Sequence, residues 1–166
     1  MKTSIVYFSA TYTTHRVVGH LAKQITEEIT EYDITNHAPS KEIIIPKNEL
    51  LIIGIPVYAG RIPEMAVDRI RQFKGEGTPA IAVAVYGNRD YDDALLELSD
   101  LLADNGFQVI SAGAFIAQHS IFPKVGAQRP DADDYQQISV FASESYKILN
   151  KNLEKLLPIH VPGNRP

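Results

Sequence analysis

Leu50-Leu51-Ile52-Ile53-Gly54 carries no polar side chain at either of the two alternating positions of a strand. A strand that meets water on one face alternates apolar and polar residues. A run that is apolar throughout belongs to a strand covered on both faces, the signature of a central strand in a parallel sheet. The chain on either side repeats this logic. Ile5-Val6-Tyr7-Phe8 and Ala80-Ile81-Ala82-Val83-Ala84-Val85-Tyr86 are further apolar strands, Phe107 to Ile116 is another, and Tyr32-Asp33-Ile34-Thr35 is a weaker one. Between them lie helical patterns. Residues 15 to 29 place Val17, Val18, Leu21, Ala22, Ile25 and Ile29 on one face, residues 63 to 73 open on Pro63, and residues 91 to 104 turn Ala94, Leu95, Leu98, Leu101 and Leu102 inward. Asn105-Gly106 signals the end of that third helix. Asp131 to about Leu157 reads as a long last helix with Ser139, Ser143 and Ser145 on a polar side.

Strands and helices that alternate in this way predict an α/β fold. The expected form is a doubly wound, five-stranded parallel sheet of order 2-1-3-4-5 with helices on both faces. The 166 residues fit one domain, read as 1–166, with residues 158–166 as an extended tail containing Pro162, Gly163 and Pro166. No repeat or low-complexity tract interrupts it.

Composition narrows the chemistry. Sixteen Lys and Arg against twenty Asp and Glu give a formal charge of -4, which does not suit a nucleic-acid surface. There is no Cys, so disulfides, thiolate metal sites, iron–sulfur clusters and cysteine nucleophiles are excluded. Redox chemistry, if any, falls to a bound organic cofactor. The N-terminal apolar run is too short for a signal peptide, and no stretch approaches the roughly 20 apolar residues of a membrane helix. A soluble, cytoplasmic protein is expected.

In an open α/β sheet, ligands bind beyond the carboxyl ends of the strands where the strand order reverses. Three loops reach that edge. Ser9-Ala10-Thr11-Tyr12-Thr13-Thr14 follows the first strand and runs straight into a helix. Four of the six are Ser or Thr, and no Lys or Arg stands between Phe8 and His15. Unpaired N–H groups at a helix start, with hydroxyls beside them, suit a phosphate held by neutral dipoles. An ordinary Ser/Thr helix cap has the same composition. After the third strand comes Pro56-Val57-Tyr58-Ala59-Gly60-Arg61-Ile62-Pro63, in which Tyr58 is placed to lie on a planar heterocycle and Gly60 permits close backbone approach. After the fourth comes Tyr86-Gly87-Asn88-Arg89-Asp90-Tyr91-Asp92-Asp93. Here Gly87 and Asn88 tolerate positive φ, Tyr86 or Tyr91 offers a second ring face, and Asp90 supports a capped helix start.

Other motifs carry less. His15 and His20 are five apart and do not share a helix face, which argues against a metal pair. His119, with Phe122, Gln128 and Arg129, lies in the long loop of residues 117–130, which is either solvated or part of a substrate pocket. Asp131, Asp133 and Asp134 lack the Gly and terminal Glu of a calcium loop and suit an acidic helix start.

The segments from Tyr7 to Thr14, from Pro56 to Pro63 and from Tyr86 to Leu95 resemble those of the flavodoxin family, and the likeness extends over nearly the whole chain. It is greatest to short flavodoxin-like domains found alone or fused to a two-cluster ferredoxin. The resemblance implies one non-covalently bound FMN. Ser9, Ala10, Thr11, Tyr12, Thr13 and Thr14 would hold its phosphate. Pro56, Val57, Tyr58, Ala59 and Gly60 would line one side of the isoalloxazine, and Tyr86, Gly87, Asn88, Arg89 and Tyr91 the other side and the pyrimidine edge. Tyr12 departs from the family's usual Gly and is strained there if φ must be positive. Arg61 or Arg89, if near N1 of the ring, would stabilise reduced flavin and raise its potential. The implied function is electron transfer with a redox partner protein. The alternatives are an FMN-dependent NAD(P)H oxidoreductase acting on a quinone or similar small acceptor, and a signalling or binding domain without flavin. A homodimer is left open.

Overall fold

The computed structural model describes residues 1–87, 90–117 and 127–166. Its main sheet has five strands, β1 (Thr3–Tyr7), β2 (Ile29–Asp33), β4 (Leu50–Pro56), β6 (Thr78–Tyr86) and β7 (Phe107–Ile116). They lie in the order β2-β1-β4-β6-β7, every pair parallel. Counting only these strands, the order is the expected 2-1-3-4-5. The helices are α1 (Thr13–Lys23), α2 (Glu64–Ile70), α3 (Ala94–Asp104) and α4 (Ala132–Leu149).

The period of two along the central strands divides the core into two layers. Val6, Ile53, Ile55 and Ala82 face one side, with Ile70 of α2 and Leu98 and Leu102 of α3. Ile5, Ile52, Ile81 and Val83 face the other, with Val17 and Leu21 of α1 and Ile138 and Ala142 of α4. Every one of these residues is within 1% of complete burial. At roughly 1.5–3 kcal/mol for each large aliphatic side chain removed from water, this double layer is the main favourable term of the fold.

Several boundaries differ from the sequence reading, for local reasons. α1 stops at Lys23 and not at residue 29. Thr26 Oγ1 donates to the carbonyl of Met1 at 2.6 Å and accepts from the N–H of Glu28 at 3.2 Å. These side-chain bonds compete with helix continuation, and Ile29 opens β2 instead. A second sheet was not expected. β3 (Ile43–Ile45) pairs in parallel with β5 (Phe73–Gly75), and Phe73 is fully buried. β5 begins where the helix was read to end; α2 is only seven residues long. Gly106, at φ 89°, lies so close to this small sheet that a Cβ there would sit 2.4 Å from the carbonyl oxygen of Gly75.

α4 ends at Leu149, and a single 3-10 turn, Leu153–Lys155, follows. Asp131 caps α4 reciprocally with Asp134, through bonds of 3.0 and 2.8 Å, so this acidic run is a helix start. Its serines do not form one polar side. Ser145 is buried, its Oγ 2.7 Å from that of Ser111 in β7, and Ser139 Oγ lies 3.0 Å from His20 Nε2. The tail from Pro158 is extended but anchored. Val161 is buried, the N–H of Asn164 donates to Asp93 at 2.7 Å, and Arg165 donates twice to Asp100. Among the described residues, no helix is long and apolar enough to cross a membrane.

Candidate cofactor site

β2 and β4 flank β1 on opposite sides, so the chain leaves β1 one way and returns the other. The switch point lies beyond Tyr7 and Pro56, at the edge where β1, β4 and β6 give way to the three loops read from the sequence, and Phe8–Tyr58 and Gly60–Asp93 contacts join these loops to one another.

The loop after β1 is pinned by Ser9. Its N–H donates to Thr35 Oγ1 at 2.8 Å, and its Oγ accepts from the N–H of His15 at 3.1 Å. The Ser9 hydroxyl is therefore a cap for α1 from within the loop, and the residue is only 8% exposed. Tyr12 is the N-cap residue at φ 65° and ψ -4°, in the left-handed region, and its own carbonyl accepts from Arg16. This is the conformation that makes a non-glycine residue costly there. The Tyr12 side chain is 71% exposed and does not fill the crevice. The N–H groups of residues 10 to 14 have no acceptor among the described residues. Successive N–H groups around a left-handed residue at a helix start form a concave anion site. Thr11 and Thr13 add hydroxyls 3.3 Å from each other. Thr14 turns inward. It is 1% exposed, and its methyl packs on α1's contact with Gly54.

Sequence reasoning missed the layer beneath this loop. Tyr7 donates its hydroxyl to Glu31 at 3.3 Å, His15 Nε2 lies 3.3 Å from the same carboxylate oxygen, and the two rings stand 4.5 Å apart. Burial first, then the charges of Glu31 and Asp33, pushes the Tyr7 phenol up to about 12. Thr35 is fixed in turn by Asp33, which accepts from its N–H at 2.9 Å, and by Arg69, which donates to the carbonyls of Ile34 and Thr35. Apart from the local Asp33–Thr35 bond and the Tyr7–His15 ring contact, these bonds join residues 16 to 35 positions apart in sequence, and no local motif announces them.

Beyond β4, Tyr58 and Arg61 exchange backbone bonds of 2.9 and 3.0 Å around Ala59 at φ 49° and Gly60 at φ 76°. Two central residues in the left-handed region make a tight reversed turn. Tyr58 is 39% exposed, its ring edge-on to Phe8, and burial raises its phenol pKa. Gly60 is needed for a different contact than expected. A Cβ there would meet Asp92 Oδ2 at 2.5 Å, and the Gly60 carbonyl accepts from the N–H of Asp93. Gly60 thus locks the second loop to the third.

In the third loop, Tyr86 and Tyr91 pack edge to face at 5.6 Å, and burial foremost raises the Tyr86 phenol. Asp90 accepts from the N–H groups of Tyr91 and Asp92, at 2.7 and 3.2 Å. Gly87 is half-buried beside them. Asn88 and Arg89 lie outside the described residues, as do His119 and Phe122.

Two arginines considered for the ring or a substrate are otherwise engaged. Arg61 Nε donates to Glu97 on α3 at 2.5 Å. Arg129 forms a two-pronged pair with Asp134, whose side chain is 6% exposed. The guanidinium holds the Asp134 carboxyl below the usual carboxylate range. Gln128 is exposed at φ 62°.

No family model matches the sequence, and no curated protein resembles it in sequence. The fold has clear counterparts among solved structures. A Fusobacterium nucleatum flavodoxin bound to flavin mononucleotide superposes with a TM-score of 0.60 at 16% identity, over 89% of this chain and 98% of that one. An archaeal flavodoxin gives 0.56 at 13%, over 90% and 100%. The apo form of an NADH:FMN oxidoreductase gives 0.61 at 13%, over 89% of each chain. The chain has the flavodoxin-like fold.

Proposed function

We propose that this protein binds FMN across the crevice between β1 and β4 and passes electrons between partner proteins. The observation that carries the reading is the row of unpartnered N–H groups at residues 10–14, gathered around Tyr12 at φ 65°. The first turn of any helix leaves N–H groups free, but here the row extends back through residues 10–12 around a left-handed residue, which suits a phosphate monoester. With the phosphate there, the ring would extend toward Tyr58 on one side and Tyr86 and Tyr91 on the other. Pro56 and Val57 would border it, Val57 being held by its bond to the Val85 carbonyl at 3.1 Å. The bound isoalloxazine would supply electron acceptance and donation; the protein supplies grip, orientation and exclusion of water. Thr11 and Thr13 would share the phosphate with the N–H groups, and Ser9 and Thr14 would hold the loop's shape.

A second reading has support in the comparable superposition on an NADH:FMN oxidoreductase. Calorimetry with FMN and with riboflavin tests the site: saturable FMN binding with quenched fluorescence is expected, and riboflavin should bind much more weakly. No heat with FMN at micromolar concentration would end the proposal. On the loaded protein, steady NAD(P)H oxidation with a quinone would select the reductase, and its absence the carrier.

A further inference from the structure

β7 is the last strand of the sheet and, among the described residues, pairs only with β6. Its ten residues, Phe107 to Ile116, include no charge and no proline. An edge of this kind is normally blunted by charges or covered. Here residues 156–161 run past it, with Leu156 and Val161 packed into the core on either side, and make no backbone hydrogen bond to it among the described residues. A cavity of about 680 Å³ separates the two. It is lined by four consecutive residues of the strand, 107 to 110, so it follows the edge and not one face. α3 closes it on one side through Leu96, Ser99 and Ala103, and on the other stand Ile148 at the end of α4 and Lys151 just beyond it.

The volume is of the order of a missing strand segment. Four added strand residues, roughly 13 Å long, about 4.8 Å wide within a sheet and about 10 Å deep between layers, would take roughly 600 Å³, comparable with the cavity. The tail cannot fill this place. Pro158 and Pro162 lack the N–H a ladder requires, and residues 157–163 make no backbone hydrogen bond among the described residues. The tail is instead held at both ends, by Gln108 donating to Leu153 O at 2.8 Å and by the Asn164 and Arg165 contacts with α3. In the cavity wall, Ser99 is 7% exposed and its Oγ has no partner. Lys151 and His160 stand at the rim without a carboxylate among the described residues, while Asp100 is taken by Arg165.

We propose that this slot receives an extended segment of a partner protein, which adds a sixth strand beside β7. Main-chain bonds to the free edge would give the affinity. The segment would be free of proline, apolar at alternate positions, and acidic where it passes Lys151. This inference is independent of the flavin.

The test selects a displayed library of random eight-residue peptides on the full chain, against Ala103→Trp as counter-target. Ala103 is exposed on the cavity lining, so an indole there blocks the slot without entering the core. Alternating, proline-free, acidic-bearing peptides should emerge. Ala103→Trp should weaken the best by at least about tenfold, Lys151→Glu by several-fold, and alternate N-methylation of the peptide should abolish binding. Amide exchange within 107–110 should slow in the complex. No enrichment over Ala103→Trp, or binding indifferent to N-methylation, overturns the proposal. So does concentration-dependent dimerisation abolished by Ala103→Trp, because a second copy would then be the occupant. Unchanged Lys151→Glu affinity would refute the acidic preference.

Discussion

Gly54→Ala tests whether α1 and the crevice are one mechanical unit. Gly54 lies in β4 between Tyr7 of β1 and Val83 of β6. A Cβ there would fall 2.4 Å from Val18 Cγ1 and 2.9 Å from Thr14 Cγ2. Carbon atoms in ordinary contact are about 3.5–4.0 Å apart, so α1 must withdraw by roughly 1 Å. Overpacking of this kind costs about 1–3 kcal/mol, which for a chain of this size lowers Tm by roughly 3–10 °C. Thr14 belongs to the turn that carries the unpartnered N–H groups, so the same displacement moves the proposed phosphate site. FMN affinity should fall about tenfold, or about 1.4 kcal/mol. Riboflavin, which has no phosphate, should lose less than about twofold, since the loss follows the phosphate contacts alone. Val18→Ala removes the closer obstacle. The double variant should therefore be at least about 1 kcal/mol more stable than the sum of the single effects. Urea unfolding and calorimetry with both flavins read all of this. Equal losses for FMN and riboflavin would refute the assignment of the phosphate to α1, and an undisturbed Gly54→Ala would refute the packing argument.

Tyr12→Gly should be more stable than Tyr12→Ala by about 1 kcal/mol in urea unfolding, because only glycine is at ease at φ 65°; equality would mean the turn relaxes without cost. Arg61→Ala should leave the flavin midpoint potential unchanged in a redox titration, because Arg61 is bound to Glu97; a shift would place its charge at the ring. Asp134→Asn should cost about 1–3 kcal/mol at neutral pH by removing the two-pronged carboxylate of Arg129 and leaving it only the looser Asp131 contact at 3.6 Å. The Asp134 carboxyl is depressed in the folded chain, so its contribution is complete above the unfolded value of about 3.9 and is lost as pH falls through the folded value. The gap between wild type and Asp134→Asn should accordingly be flat near neutrality and close in acid. A gap that widens below pH 4 would contradict the sign.

Four of the five strands of the sheet were legible because they are defined by their own composition; β2, expected at Tyr32–Thr35, runs from Ile29 to Asp33 and is set by its pairing with β1. Phe107–Ile116 has the predicted limits, and the five residues read as the inner face of α3 are all buried. The β3–β5 sheet was not legible. Ile43-Ile44-Ile45 and Phe73-Lys74-Gly75 are three residues each and acquire meaning only by pairing across thirty positions. The overlong first helix has the opposite cause: Ile25 and Ile29 continue the helical period, but Thr26 captures the backbone through Met1 and Glu28.

The same distinction governs the site. Sequence singled out the loop proposed for the phosphate but could not divide its hydroxyls between a ligand and the loop itself. That division depends on where Thr35 and Gly54 sit. Thr35 turns Ser9 into a fixed cap, and Gly54 draws the methyl of Thr14 into the α1–β4 contact. What is left facing the crevice is Thr11, Thr13 and a row of backbone N–H groups. Tyr12, which looks like a defect in the sequence, then has a definite place. Its left-handed backbone sets the curvature of the row while its ring stays in solvent. A loop built this way would grip an anion with dipoles alone and keep its own charge near zero. Its affinity for FMN should therefore depend on salt less steeply than that of a site built from lysines, and a steep dependence would show that a cation had been overlooked.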